Sequence, residues 1–432
     1  MEITEFTCSN QEENSYICRK TTNNGANCMI LEFCVNNYLS IKDDLKISFV
    51  GTTLKENLPE PNDMVAVSDM GLSLVRSAVI YGANASGKTN LLKAVAFYKE
   101  FIMDSFKNSQ AGEAIPVENF RLNAATVNEP TMMEATFING DFIYRYGFEV
   151  DSKAVRAEWL YQRANKKRAK EIEVFYREEE TTTVHAKNQL IQELISKKMV
   201  RDNALLLSTA AQFNEMTAVN ILQWLGDTRI LFCSEDKKLW EQAIRHLDDA
   251  TLRQRITNFA KYADLGIESI TKVDNRIVSN HRQFDNDGME TNNVVFSFSG
   301  NESEGTIKYF SLSYPIIDAL DHGKRLIIDE LDSKLHPLLI RKIITLFNSA
   351  ETNPKGAQLL FTTHDTFLLS AGLFRRDQVW FTQKDSFGAT ETYSLAEYKV
   401  RSGSPFEKDY LQGKYGATPI IGELETVFER EG

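Results

Sequence analysis

One stretch constrains this chain more than any other: RSAVIYGANASGKTNLLKAVAFY, residues 76–98. A short apolar run (Ala78, Val79, Ile80, Tyr81) leads into Gly82-Ala83-Asn84-Ala85-Ser86-Gly87-Lys88-Thr89. An amphipathic segment follows, with Leu91, Leu92, Val95 and Phe97 as its apolar positions. That is strand, phosphate loop and helix, and it fits the Walker A pattern at every fixed position. The glycines let the backbone turn tightly, so that successive amides point into one concavity. The positive end of the helix dipole adds to the pull on a polyphosphate. Lys88 is placed to reach the β- and γ-phosphates, and Thr89 to offer a hydroxyl to Mg2+. A chain built on this unit is expected to be an α/β protein that binds a nucleoside triphosphate.

Two later stretches fit the same chemistry. In GKRLIIDELDSKLHP, which begins at Gly323, the apolar run Leu326-Ile327-Ile328 ends in Asp329-Glu330. This is a Walker B arrangement: a buried strand, expected to lie beside the P-loop strand, that delivers two carboxylates to its C-terminal end. Asp329 is expected in the Mg2+ shell, and Glu330 to orient and polarise an attacking water. Acidic pairs after apolar strands are common by chance; the P-loop upstream is what gives this one meaning. One helix later (LLIRKIITLFNSA), a further apolar strand, QLLFTTH, ends at His364-Asp365. Ahead of the Walker B stretch, SEGTIKYFSLSYPIIDAL opens a predicted helix at Ser303, where a hydroxyl and free amides can cap the helix or bind an anion.

Around these motifs the chain divides by pattern. Residues 1–28 are polar, rich in Asn and Thr, and read as a loosely structured extension. Residues 29–185 read as an N-terminal lobe. It holds strands in MILEFCVNNYLSI and KDDLKISFV, a loop region over 51–75, the P-loop unit, and an antiparallel β subdomain (EATFI, FIYRYGFEV, AEWLYQR). Asn139-Gly140 is a hairpin signal within it. Residues 186–264 switch to helical periodicity (NQLIQELISKKM, ALLLSTAAQF, MTAVNILQWLG, KLWEQAIRHL) and read as a helical insertion. Residues 265–400 read as a C-terminal lobe, with short strands IESITKVD and NVVFSFS divided by a polar stretch over 280–293. Residues 401–432 read as a tail.

Charge and cysteine usage narrow the function classes. A net charge of −11 argues against a chain that coats itself in nucleic acid. The basic run RANKKRAK (163–170) is followed at once by EIEVFYREEE, so a solvated hairpin is expected there. Five cysteines (Cys8, Cys18, Cys28, Cys34, Cys233) without a C-x-x-C pair point to reduced thiols in a cytoplasmic protein rather than a zinc site. No apolar run approaches the roughly 20 residues of a membrane span, so no membrane partner is expected. MEITEFTCSNQEENSYICRK lacks the basic start and apolar core of a secretory signal. Thr382-Gln383-Lys384-Asp385 loosely matches a guanine-reading loop, but nothing else of a G-domain accompanies it. ATP is therefore the expected nucleotide.

In their order along the chain, these motifs resemble the SMC-like branch of the ABC ATPases. Within that branch the chain is similar to the AAA-type ATP-binding proteins of bacterial phage-defence and restriction loci (RloA-like ATPases), relatives of the overcoming-lysogenisation-defect ATPases. The matching stretches are YGANASGKTNLLKA, RYGFEV, EWLY, LIIDELDSKLHP, LLFTTHD, FRRDQVWF, GATETYSL and DYLQGKYGATPII, and the resemblance as a whole runs from Met29 to about Ile421. The resemblance implies an ABC/SMC-like ATPase head that uses ATP and Mg2+. It places Lys88 and Thr89 in the P-loop, Asp329 and Glu330 in Walker B, and His364 as a switch histidine on the γ-phosphate. Ser303 and Gly305 match the signature, which closes on the nucleotide of a second subunit. Asp332, Ser333, Lys334, Leu335 and His336 occupy the D-loop position at the dimer interface.

Three departures stand out. No Q-loop glutamine can be placed, the nearest candidate being the stretch NFRLN (119–123). The insertion is too short for the long coiled coil of the repair ATPases. No Toprim-like acidic cluster follows, so nuclease activity would belong to a partner. The implied function is a sensor or regulatory ATPase of anti-phage defence. It would form a homo-oligomer with ATP, respond to DNA or a phage protein, and control a separately encoded effector, a nuclease. Two alternatives stay open on the sequence: a DNA repair or recombination ATPase acting on DNA ends or gaps, and an ATP-bound scaffold with slow hydrolysis.

Overall fold

The P-loop strand, Ser77–Gly82, is buried along its whole length, and alternation sends its side chains into two separate cores. In this computed structural model the described residues are 28–419, except 57, 59–61, 63–64, 67–70, 108–109, 179–180, 187, 233–234, 264–265, 274–275, 371 and 402. The expected N-terminal extension, but for Cys28, lies outside the described residues, as do Cys8, Cys18, Cys233 and residues 420–432 of the tail.

The strand belongs to a six-stranded sheet. Across it the order is Thr228–Leu231, Arg325–Ile328, Gln358–Thr362, Ser77–Gly82, Val379–Lys384 and Thr390–Ser394. Every neighbouring pair is parallel except the last, which is antiparallel. The Walker B strand, Arg325–Ile328, is therefore not beside the P-loop strand as expected: the strand leading to His364 lies between them. The helix Pro337–Asn348 carries the chain from one to the other and sets Leu360 against Ala78 in the ladder. The long-range order of parallel strands is not a local property of any of them.

Ala78, Ile80, Ile327 and Leu360 face one core, together with the P-loop helix Lys88–Asp104. That helix also buries Leu91, Val95, Tyr98 and Phe101 against a seven-stranded antiparallel sheet. Tyr98 stacks on Phe148 with centroids 5.5 Å apart, and its hydroxyl donates to the Tyr146 carbonyl at 3.0 Å. Each fully buried side chain of this size contributes about 1.5–3 kcal/mol. Val79, Tyr81, Leu326, Ile328, Leu359 and Phe361 face the second core, lined by the helices Glu304–His322 and Pro337–Asn348.

The antiparallel sheet is the expected β subdomain, extended by the strands Ile30–Asn36 and Leu45–Ser48. Its Asn-Gly hairpin forms: Asn139 pairs with Phe142, and Gly140 takes a φ of 61°. In the EWLY stretch, Glu158 is fully buried. It accepts the amides of Leu206 (2.6 Å) and Leu207 (2.9 Å), so a carboxylate from a strand caps the helix Leu206–Gln212. Burial pushes its acid group up.

Two secondary-structure expectations need correction. The stretch read as wholly helical contains the strand Thr228–Leu231, which is an edge of the central sheet. The polar stretch over 280–293 does not divide two strands; it forms most of a hairpin, Arg276–Phe284 with Glu290–Ser297, in a three-stranded sheet. Both faces of that hairpin are largely exposed, so its sequence carries no alternation to read. RANKKRAK sits at a hairpin tip, between Val155–Ala164 and Ile172–Glu178. No helix among the described residues is long and apolar enough to cross a membrane.

Candidate functional site

The candidate site lies where the P-loop, Walker B and His364 strands end. Gly82 to Thr89 form one turn from strand to helix, and Gly87 has a φ of 109°. A methyl group at Gly87 would overlap the Thr390 side chain, and one at Gly82 would overlap Thr382 and Ser86. The loop is thus pressed against the strands Val379–Lys384 and Thr390–Ser394. Ser86 and Thr382 share a hydrogen bond of 2.8 Å, Thr390 Oγ1 donates to the Ser86 carbonyl at 3.0 Å, and Ser40 links Thr390 to Asn90 at 2.8 Å on each side. The stretch Thr382-Gln383-Lys384-Asp385 therefore supplies a brace for the loop. Ala83 and Asn84 complete the turn, and Ala85 holds a left-handed φ of 61°.

Lys88 is buried, with Nζ donating to the carbonyls of Gly82 (2.7 Å) and Ala83 (3.0 Å). Desolvation lowers its pKa to about 8, against the opposing pull of Asp329, Glu330 and Asp332. Its ammonium is thus satisfied by carbonyl dipoles of its own loop, and a phosphate oxygen is a stronger acceptor that can replace them.

The Walker B end is tied to this loop. Thr89 Oγ1 donates to Asp329 Oδ2 at 2.9 Å across 240 residues of sequence. Thr362 Oγ1 donates to Asp329 Oδ1 at 2.7 Å and accepts the Glu330 amide at 2.7 Å. Glu330 has a φ of 51°, a left-handed conformation that costs about 1–2 kcal/mol outside glycine. His364 donates its amide to Asp332 Oδ2 at 3.0 Å, so the segment after the Walker B strand and the histidine turn are joined directly. His364 is exposed, and partial desolvation with the nearby Lys88 shifts its pKa downward from the usual imidazole range. Oxygens of Thr89 and Asp329, beside a lysine whose ammonium rests on carbonyls and has no carboxylate partner among the described residues, fit a magnesium–triphosphate group.

The signature residues are placed differently. Ser303 caps the helix Glu304–His322, accepting the Thr306 amide at 3.0 Å. A methyl group at Gly305 would come within 2.9 Å of the Lys334 carbonyl, and Lys334 holds a φ of 65°. The turn at Ser303–Gly305 therefore packs on the segment Asp332 to His336 of its own chain. Among the described residues, no hydrogen bond joins Ser303 to the P-loop.

Sequence reasoning missed Thr362 and the brace of Ser40, Asn90, Thr382 and Thr390. The GATETYSL match flags the neighbourhood of Thr390 without giving it a role. FRRDQVWF, matched in the same way, is a buried network: Arg375 pairs with Asp377 (2.8 Å), Arg376 with Glu56 (2.8 Å), and Gln378 Nε2 donates to the Ser77 carbonyl (3.0 Å). It fixes the start of the P-loop strand.

A parallel sheet that carries Walker A and Walker B side chains at the ends of its strands defines a P-loop ATPase fold of the AAA type. The chain belongs to the family described as "AAA domain, putative AbiEii toxin, Type IV TA system", which matches residues 77–370. Among solved structures, it is similar to the SMC head domain from Thermotoga maritima (11% identity, 86% of this chain and 99% of that one, TM-score 0.40). It is also similar to an SMC head bound to the C-winged helix domain of ScpA (11%, 84% and 97%, TM-score 0.42). A third is the recombination mediator protein RecF with ATPrS, of the RecFOR pathway (13%, 86% and 100%, TM-score 0.32). No curated protein sequence matches the chain significantly.

Proposed function

We propose that this chain is an ABC/SMC-like ATPase that binds and hydrolyses Mg·ATP, and that ATP joins two copies of it. The observation that supports the reading is the 2.9 Å contact between Thr89 and Asp329, which brings together two oxygens suited to Mg2+ from residues 240 positions apart. The amides of Gly82 to Gly87 would cradle the phosphates, with Lys88 on the β- and γ-phosphates. Thr89 and Asp329 would hold Mg2+, which when bound neutralises charge developing on the phosphoryl oxygens. Glu330 would orient a water, and the imidazole of His364 would hydrogen-bond the γ-phosphate. Catalysis of this kind is positioning and charge neutralisation.

Ser303 and Gly305 of a second copy would complete the site, with residues 332–336 at the interface. The output is control of a separately encoded effector, a nuclease, in a cytoplasmic anti-phage system of the RloA-like kind, triggered by DNA or a phage protein. The family description, which names a toxin–antitoxin system, supports this role. The test is size in solution with and without Mg·ATP for wild type, Lys88→Ala and Glu330→Gln. A larger, ATP-locked species for Glu330→Gln but not for Lys88→Ala supports the reading, and co-purifying bands then identify the effector. A size that never changes in any of the three overturns ATP-driven assembly.

A further inference from the structure

The turn that carries His364 is held from two sides, and only one of them belongs to the reacting groups. On that side, the His364 amide donates to Asp332. On the other stands the helix Phe406–Leu411. Its Glu407 accepts from Thr366 Oγ1 at 3.3 Å through Oε1, and from Ser370 Oγ through Oε2. Residues 363–365, between the strand and these two hydroxyls, have no regular structure. The helix is itself firmly seated. Tyr410 is buried, with ring centroids 5.4 Å from Phe381 and 5.8 Å from Tyr81, and its hydroxyl donates to the Ala417 carbonyl at 3.1 Å. The hydroxyls of Tyr393 and Tyr398 both donate to the Tyr415 carbonyl, at 2.6 and 3.0 Å. Tyr81, on the P-loop strand, donates its own hydroxyl to the Asp365 carbonyl at 3.1 Å.

We propose that Glu407 is a positioning residue for hydrolysis: by holding Thr366 and Ser370 it fixes the turn that presents His364. This rests on the ATPase reading above. An irregular turn tied only at its start, here by Asp332 at the His364 amide and by Tyr81 at the Asp365 carbonyl, pivots about those ties, and a second tie at its far end removes the freedom. The second tie is a carboxylate with both oxygens engaged by hydroxyls, a charge-assisted arrangement stronger than neutral pairs. A misplacement of about 1 Å in a reacting constellation is enough to lower turnover up to about a hundredfold. The tail thereby becomes part of the machinery without touching the nucleotide.

The test is a double-mutant cycle read by steady-state phosphate release over a range of Mg·ATP concentrations. Glu407→Ala is expected to lower kcat about tenfold, well inside that limit, with KM within about twofold of wild type. Glu407→Gln is expected to restore most of the loss, because its carbonyl still accepts and a hydroxyl can rotate to accept from its amide. In a His364→Ala background, removing Glu407 is expected to change nothing further, since coupled residues do not add. Ser370→Ala alters one exposed side chain and is expected to lower kcat about threefold, the loss of one hydrogen bond. It decides the matter if Glu407→Ala fails to fold. Unchanged kcat in both variants, a rise in KM that accounts for the loss, or full additivity with His364→Ala each overturns the proposal while leaving the ATPase reading intact. A wild-type protein that releases no phosphate overturns both.

Discussion

The P-loop end and the signature end of the molecule are built from the same kinds of residue and arranged in opposite ways. At the P-loop end, hydroxyls and carboxylates from separate strands are joined to one another: Thr89 to Asp329, Asp329 to Thr362, Thr362 to Glu330. At the end expected to carry a signature, the Ser303 side chain bonds within its own helical turn among the described residues, to the Thr306 amide and hydroxyl. The first arrangement is preorganised by sheet pairing and has its polar groups committed. The second keeps a hydroxyl at a helix N-terminus, where exchanging an internal bond for an anion is easy. On the reading proposed above, one end would hold the ligand and the other would be offered to it.

The strongest way to break this comparison is to separate the two ends between chains. Lys88→Ala and Ser303→Arg are each expected to lower ATP turnover by about a hundredfold or more, since each removes or blocks a group on the transferring phosphoryl. Mixed in equal amounts, they should recover about a quarter of wild-type activity, because half the dimers are mixed and each has one intact site. No recovery on mixing means that the signature does not act in trans. Thr362→Val probes the assembled end. It keeps the volume but leaves Asp329 and the Glu330 amide facing a methyl group, and kcat should fall about ten- to thirtyfold, as expected for two broken hydrogen bonds to reacting groups. A Thr362→Val enzyme with normal kcat removes the case for preorganisation.

Smaller effects sharpen the contrast. In the free protein, burial holds Lys88 at a pKa of about 8, whereas a bound polyphosphate favours the charged form. Nucleotide binding then takes up a proton above that pH, and affinity should weaken by up to about tenfold per pH unit as pH rises beyond 8. Lys88→Arg, charged throughout, should flatten this profile; a slope that persists in the variant assigns it to another group. The smallest expected effect is on stability. Ser303→Ala should cost about 1 kcal/mol as a lost cap, measured by denaturant unfolding. Ser303→Asp should restore the stability but not turnover, because a carboxylate caps the helix and repels a phosphate. If Ser303→Asp restores both, Ser303 is only a cap.

Much of the site was legible in the sequence because it is local. A glycine-bounded loop before an amphipathic helix, two carboxylates after Leu326-Ile327-Ile328 and a histidine after QLLFTTH each show within a few residues. What pairs them does not. The strand Thr228–Leu231 is four residues between helices, too short for its alternation to register. The hairpin Arg276–Phe284 with Glu290–Ser297 has few buried positions to set a period. The place of Gln358–Thr362 between the P-loop and Walker B strands follows from how the intervening helices pack. The bracing hydroxyls of Thr382 and Thr390 lie 296 and 304 residues after Ser86, and Ser40 lies 50 residues before Asn90. The tail read as an appendage; its Glu407 and Tyr410 meet the site only in three dimensions.

The brace on the P-loop has a consequence for how the protein is made. Thr390, which bonds the Ser86 carbonyl, follows it by 304 residues. At about 5–20 residues per second, a ribosome needs roughly 15–60 s to travel that distance. Throughout that interval the nascent chain carries a finished Walker A sequence with neither its brace nor Asp329 behind it for most of the way, and an amphipathic helix without one of its two sheets. Long-range parallel pairing closes late and slowly. Products of interrupted translation are therefore expected to bind nucleotide poorly and to expose uncovered apolar surface, which makes them substrates for chaperones and proteases.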